Sequence, residues 1–314
     1  MAGRGSRVAF TLIELLVVIA IVAVLVGLLL PALGAARDSS RGVVCASRMR
    51  QLALGWQIYA DANRDVSVPG QPGRFAEPSR NLYRLGNGVQ YRPRWFAVIG
   101  AAAGFDAYRE PSANRDDEHS ARVDGSEVFL CPSRAAWSSS RNYAYGYNYQ
   151  FLGNTRFRGG AGGAEVFVNF PVRASTIASS GTVLFADGLG TAAGKAADER
   201  GPHRGDGSRD PLVRAVGGHG YALDPPRLAG PGSGPGSDYA DPRNRSDEHR
   251  SGPDARHMQN ANVSFADGHV ASLTPIEMGY AVRGDGSIGA RGDDTTNRLF
   301  SGSLLDELAP GLGG

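Results

Sequence analysis

Lysine is all but missing from this chain. Lys195 is the only one among 33 basic residues, so arginine carries nearly all the positive charge, a bias of composition and not a phosphate-binding device. The formal net charge is +2, which leaves no field that would draw in nucleic acid. Cysteine is scarce too. Cys45 and Cys131 are the only two, and they lack the paired spacing of a zinc site. A disulfide between them is permitted outside the cytoplasm. Two separate buried thiols are the alternative, and the deciding Cα separation is not legible in a sequence. Catalytic signatures are absent: there is no H-E-x-x-H, G-x-S-x-G, P-loop or strand-linked dinucleotide fingerprint. The chain therefore reads as a non-enzyme, with no catalytic residue and no cofactor. Large aliphatics are nearly absent from 189–256, where Gly, Pro, Asp and Arg dominate, and such a stretch reads as a long loop.

Apolar residues are instead concentrated at the start. A leader with Arg4 and Arg7 and no acid meets FTLIELLVVIAIVAVLVGLLLPAL, and no polar side chain occurs from Leu15 to Leu30. The run has about the 20 residues a helix needs to cross a bilayer. The leader's arginines favour a cytoplasmic N-terminus. Glu14 is the one charge within the run, which makes it a functional candidate in need of a partner. No Lys or Arg follows before Arg37, so a partner is expected from the chain's start or from another molecule. The competing reading is a secretory signal peptide cut at Gly34-Ala35-Ala36, with a mature start near Arg37.

The motif AFTLIELLVVIAIVAVLVGLLLPAL resembles the N-terminus of type IV pilins and type II secretion pseudopilins. That resemblance implies cleavage by a prepilin peptidase between Ala9 and Phe10 and N-methylation of Phe10. It makes Glu14 the assembly residue that pairs with a neighbouring subunit's terminal amine. Pro31 falls where many members carry a helix-kinking proline. Ala9 departs from the glycine usual before the cut.

Past Pro31 the helix is expected to continue to Ala62, with Asn63 as its C-cap. Cys45, Met49, Leu52, Trp56 and Tyr59 are spaced 4, 3, 4 and 3, one apolar face of an amphipathic helix. Gly55 within it costs about 1 kcal/mol relative to Ala. Trp95–Ala103 is an apolar segment. Glu127–Leu130 reads as a short strand. Tyr143–Tyr149 alternates aromatic and small or polar residues, which suggests a strand whose aromatic face packs on the helix or forms a ligand platform. Thr182–Gly188 reads as a strand ending in a turn. Ala261–Leu273 is the clearest hairpin, with Asp267-Gly268 as a two-residue type I′ turn and Phe265 facing Val270. Residues 281–314 return to loop composition, with a short apolar segment at Leu304–Leu308.

His257 precedes Asp267-Gly268 by nine intervening residues. This H-x9-DG pattern resembles the C-terminal signature of a planctomycete-type, DUF1559-like group of prepilin-like proteins. RQLALGWQIYADAN, the Cys131-Pro132-Ser133 triplet and SSGTVLFADG fit the same group. Physically, His257 is expected to orient the hairpin by bonding Asp267. The metal alternatives are His257, Asp267 and His269 around a divalent cation, or Asp187, Asp285, Asp293 and Asp294 around Ca²⁺. No spacing matches a known loop, so turn structuring is preferred. Arg-Gly-Asp at 204–206, 283–285 and 291–293 is ascribed to chance in Gly/Arg/Asp-rich loops.

The expected fold is α+β: a long N-terminal helix, half transmembrane and half amphipathic, packed on a small antiparallel sheet with long Gly/Pro-rich loops. The expected divisions are a leader at 1–9, a transmembrane helix at 10–33, its amphipathic continuation at 34–65 and an outer domain at 66–314. The expected function is a prepilin-like subunit of a type IV pilus or type II secretion pseudopilus. It would sit in the inner membrane with its C-terminal domain outside. Its partners would be the peptidase, other pilin-like subunits and the assembly machinery. The alternative is a helix-anchored extracytoplasmic binder of solute or polysaccharide that does not polymerise.

Overall fold

The computed structural model describes residues 11–70, 83–84, 90–91, 94–108, 125–133, 144–159, 165–169, 171–200, 222–227, 251–289 and 295–309. It is an α+β protein built on one helix, α1 (Leu12–Ala62), about 75 Å long at 1.5 Å per residue. Thr11 starts it. The Thr11 hydroxyl accepts from the Glu14 N–H at 3.2 Å, and the Glu14 carboxylate accepts from the Thr11 N–H and hydroxyl, both at 2.8 Å. This T-x-x-E capping box satisfies donors that a helix start otherwise leaves open. Asn63 ends the helix, its N–H bonding the carbonyls of Tyr59 and Ala60.

The sheet is antiparallel and has five strands: β1 (Tyr145–Tyr147), β2 (Val183–Gly190), β3 (Gly252–Pro253), β4 (Ala261–Phe265) and β5 (Val270–Leu273). The spatial order is β1-β2-β4-β5, and β3 also pairs with β2. The two similar segments VLFADG and VSFADG thus become neighbours, with Val183 opposite Phe265 and Ala186 opposite Val263. A register shift between Val183 and Phe185 interrupts the ladder.

Both faces of the sheet are covered. On one, Cys45, Met49, Leu52 and Trp56 of α1 join Trp95 and Ile99 of α2 (Trp95–Ala103) over Tyr145, Tyr147, Leu184 and Phe185. Trp95 stacks on Phe185, with ring centroids 4.7 Å apart. Gly55 gives α2 its approach: a Cβ there would meet Ile99 Cγ2 at 2.6 Å. On the other face, Val183, Ala261, Val263 and Phe265 pack with Leu223, Met278, Tyr280, Ile288 and Phe300.

Several local expectations give way. Glu127–Phe129 is a 3₁₀ turn, not a strand, capped by the Ser126 hydroxyl. Asp187-Gly188 is not a turn, because β2 runs on to Gly190 and pairs there with β3. The hairpin loop has three residues. Phe265 N–H bonds the His269 carbonyl, Gly268 N–H bonds the Phe265 carbonyl, and Gly268 takes φ +92°. Val270 therefore faces Ser264 and not Phe265. The extra residue fits because α1 reaches the loop: the Gln57 amide donates to the Ala266 carbonyl at 3.0 Å. Residues 189–256 are not all surface loop either. Ala222 bridges Tyr147, Leu223 is buried, and the Asp224 carboxylate accepts from Ser251 N–H and the Tyr149 hydroxyl.

Candidate functional site

Two places stand out, one at each half of α1. The first is its N-terminal half. Every residue from Leu12 to Ser40 is exposed, including sixteen large aliphatics between Leu12 and Leu33. Removing each from water is worth roughly 1.5–3 kcal/mol, so the bare helix forgoes stabilisation on the order of 20–40 kcal/mol. The helix is long and apolar enough to cross a membrane, and a signal sequence has the same character. Glu14 lies within this stretch. Of the two sources expected for its partner, the chain's own start supplies one here: Thr11 gives it two donors. The T-L-I-E spacing carried that signal. Ala9 and Phe10 lie outside the described residues, and Pro31 lies inside the continuous helix.

The second place is buried where α1 meets the sheet. Cys45 on α1 and Cys131, two residues past the 3₁₀ turn, are joined as a disulfide with Cα atoms 5.3 Å apart. His257 lies against them, its Nε2 3.6 Å from Cys131 Sγ and 3.3 Å from Asp187 Oδ2. His257 is held from behind by a tight turn. It exchanges backbone bonds with Asn260, and the two residues between, Met258 and Gln259, both take positive φ. That is the two-residue geometry expected at Asp267-Gly268, made here by residues that pay for it in strain. Gly42 lets the imidazole lie close to α1, since a Cβ there would be 3.4 Å from His257 Nδ1.

Asp187 is fully buried on the central strand. Its Oδ2 accepts from the Asn262 N–H at 2.8 Å, while Oδ1 has no hydrogen-bond partner among the described residues and lies 3.9 Å from Arg256 Nε. Asn262 in turn donates to the Gly42 carbonyl of α1 at 3.0 Å. Arg256 donates to the Gly188 carbonyl at 2.6 Å and lies 2.8 Å from Asp254 Oδ2. Burial pushes the Asp254 carboxyl up against the pull of Arg256. Burial, reinforced by Asp187, pushes the Tyr145 hydroxyl up, and burial does the same to Tyr147, so both remain neutral donors. They donate to the Leu130 and Val68 carbonyls.

His257 thus meets a different aspartate from the one expected. His257 pairs with Asp187, and Asp267 pairs with His269 at 2.6 Å on the surface. The reason is topological: β4 lies beside β2, so the turn before β4 faces the far end of β2. The likeness of the two ADG segments was the available signal. The proposed ion set of His257, Asp267 and His269 is split in this way. Asp187 is buried and Asp285 bonds Ser287, while Asp293 and Asp294 lie outside the described residues. Tyr145, Tyr147 and Tyr149 are buried and offer no open platform; Tyr143 lies outside the described residues.

Compared with known proteins, residues 34–275 match the family model SBP_bac_10, described as a protein of unknown function (DUF1559). The match begins just past the apolar run and takes in α1's packed half, the whole sheet and the His257 cluster. No curated protein and no solved structure matches the chain.

Proposed function

This chain belongs to the DUF1559 family, and on that footing we propose that it is a prepilin-like structural subunit. It is inserted in the cytoplasmic membrane with its N-terminus inside and its domain outside. Prepilin peptidase cuts it at Ala9–Phe10 and methylates Phe10, and it assembles with its own kind or other pilin-like subunits into a filament. The observation that carries the reading is the exposed half of α1. From Leu12 to Leu33 it spans about 33 Å, close to the hydrocarbon thickness of a bilayer. It continues without a break into the half that the domain holds, so the domain cannot shed it by bending at a linker. Neighbouring helices can cover the same apolar surface in a filament, where heterologous packing repeats without closing. Glu14 then exchanges its Thr11 donors for a neighbour's Phe10 amine and sets the register.

Mass spectrometry of the mature protein tests the processing, and cross-linking in native membranes tests assembly. The expected results are a methylated Phe10 terminus and a ladder of multimers. A start near Arg37 would overturn the reading, because the helix would then be a discarded signal. A Phe10 terminus with only monomers would favour the anchored binder, although the tyrosines offered as its platform are buried.

A further inference from the structure

Cys45, Cys131 and His257 bring two sulfurs and a ring nitrogen within 4.8 Å of one another, all in buried residues. Asp187 adds a fourth donor, with Oδ2 3.3 Å from His257 Nε2. We propose that, when the cysteine pair is reduced, these four side chains form a site for one thiophilic divalent cation of the zinc class. Two thiolates, an imidazole and a carboxylate are a donor set that tetrahedral zinc accepts. Reduction by a dithiol adds two electrons and two protons to the disulfide, giving two thiols. Cation binding then releases the two thiol protons.

Part of the geometry is already in place. Zinc-to-sulfur and zinc-to-nitrogen bonds of about 2.3 and 2.0 Å place neighbouring donors roughly 3–4 Å apart. The spacing of His257 Nε2 from Cys131 Sγ and from Asp187 Oδ2 already falls there. The two sulfurs have to part and the Asp187 carboxylate, which lies outside the 4.8 Å group of the other three, has to turn toward them, by rotation about side-chain bonds. Two thiolates and a carboxylate leave one negative charge on a dication, and the Arg256 guanidinium, shared with Asp254 at 2.8 Å, stands 3.9 Å from Asp187 Oδ1. A disulfide by itself needs only an apolar lining. This one abuts a buried imidazole and a buried carboxylate, with His257 Nε2 turned to Cys131 Sγ and to Asp187 Oδ2. The site is thus redox-gated: the oxidised pair clamps α1 to the domain covalently, and the reduced pair clamps it through the cation.

The test uses the full chain in detergent, reduced without oxygen and titrated with Co²⁺ and then Zn²⁺. Reduced protein is expected to take up one equivalent of Co²⁺, with a thiolate-to-cobalt charge-transfer band and the intense visible bands of tetrahedral coordination. Zn²⁺ should displace it and protect both cysteines from alkylation, and the oxidised protein should do neither. His257→Ala and Asp187→Asn should each weaken binding at least about tenfold. X-ray absorption of the zinc-loaded natural chain needs no variant and should show two sulfur and two nitrogen or oxygen neighbours. No stoichiometric uptake, or absorption lacking two sulfurs, would overturn the proposal. So would binding undiminished in a folded His257→Ala.

Discussion

The two halves of α1 share a backbone and differ in nearly everything else. From Leu12 to Ser40 nothing in the described chain covers a side chain, and glycine there has space around it: a Cβ at Gly27 or Gly34 would meet no atom within 4 Å. From Cys45 to Ala60 the helix is cut to fit. Cys45, Met49, Leu52, Ala53, Gly55, Trp56 and Ala60 are buried, and Gly55 has no room for one more carbon. The first half is specified by its solvent and the second by its neighbours. On the proposed function, a substitution is therefore read against lipid or other subunits in one half and against the sheet in the other.

The largest effect expected from breaking this contrast is loss of the Cys45–Cys131 bond. It closes a loop of 86 residues, for which chain entropy gives about 4.6 kcal/mol, within a usual range of about 2–5. Cys131→Ser should lower the melting temperature of the outer domain by several degrees or more, while membrane insertion stays unchanged. Thermal scans of natural and variant chains in the same detergent, with and without reductant, check this. Equal melting of the two under oxidising conditions would mean that packing alone holds α1 to the domain.

Glycine sharpens the comparison at intermediate size. Gly55→Ala drives a methyl into Ile99 Cγ2 and is expected to cost about 1–3 kcal/mol in overpacking, offset by up to about 1 kcal/mol of helix propensity. Gly34→Ala has no such clash and should be neutral or stabilising by up to about 1 kcal/mol. Denaturant midpoints of the two variants should move in opposite directions.

The smallest effect separates capping from assembly, because the chain contains the same box twice. Thr274 and Glu277 repeat the three bonds of Thr11 and Glu14, at 2.8, 2.9 and 3.2 Å. The Thr274 N–H, then its hydroxyl, holds the Glu277 carboxyl below the usual glutamate range. A depressed folded value means its contribution is present above the ordinary glutamate pKa and is lost as pH falls through the lowered one. Glu277→Gln should remove that small acid dependence from the unfolding curve and leave cross-linked ladders intact. Glu14→Gln should leave the outer domain folded yet abolish the ladders. Full ladders from Glu14→Gln would reduce Glu14 to a cap.

Periodic features were the legible ones. The spacing of Cys45, Met49, Leu52 and Trp56 revealed the packed face, and the apolar block at 95–103 proved to be a helix. Local turn chemistry misled in two places. Asp187-Gly188 has a turn's composition, but pairing on both edges of β2 keeps it extended. The hairpin gained a residue because α1 and the residues around Ser179 and Thr182 bond its loop. His257 drew notice in the sequence, but its contact with Asp187 was not legible, since Asp187 is seventy residues away and only strand order joins them.

What the sequence determined by itself follows from short-range physics. An uncharged run sets its own solvent, a 3.6-residue period sets which face is buried, and T-x-x-E sets where a helix begins. Residues close in the chain suffice for each of these. The burial of Leu223 and Asp224, the contact of His257 with Asp187 and the union of Cys45 with Cys131 were left to the tertiary structure. Each joins segments that are distant in sequence, and a buried polar group takes whichever partner the packed strands place within reach, because water is no longer there to satisfy it.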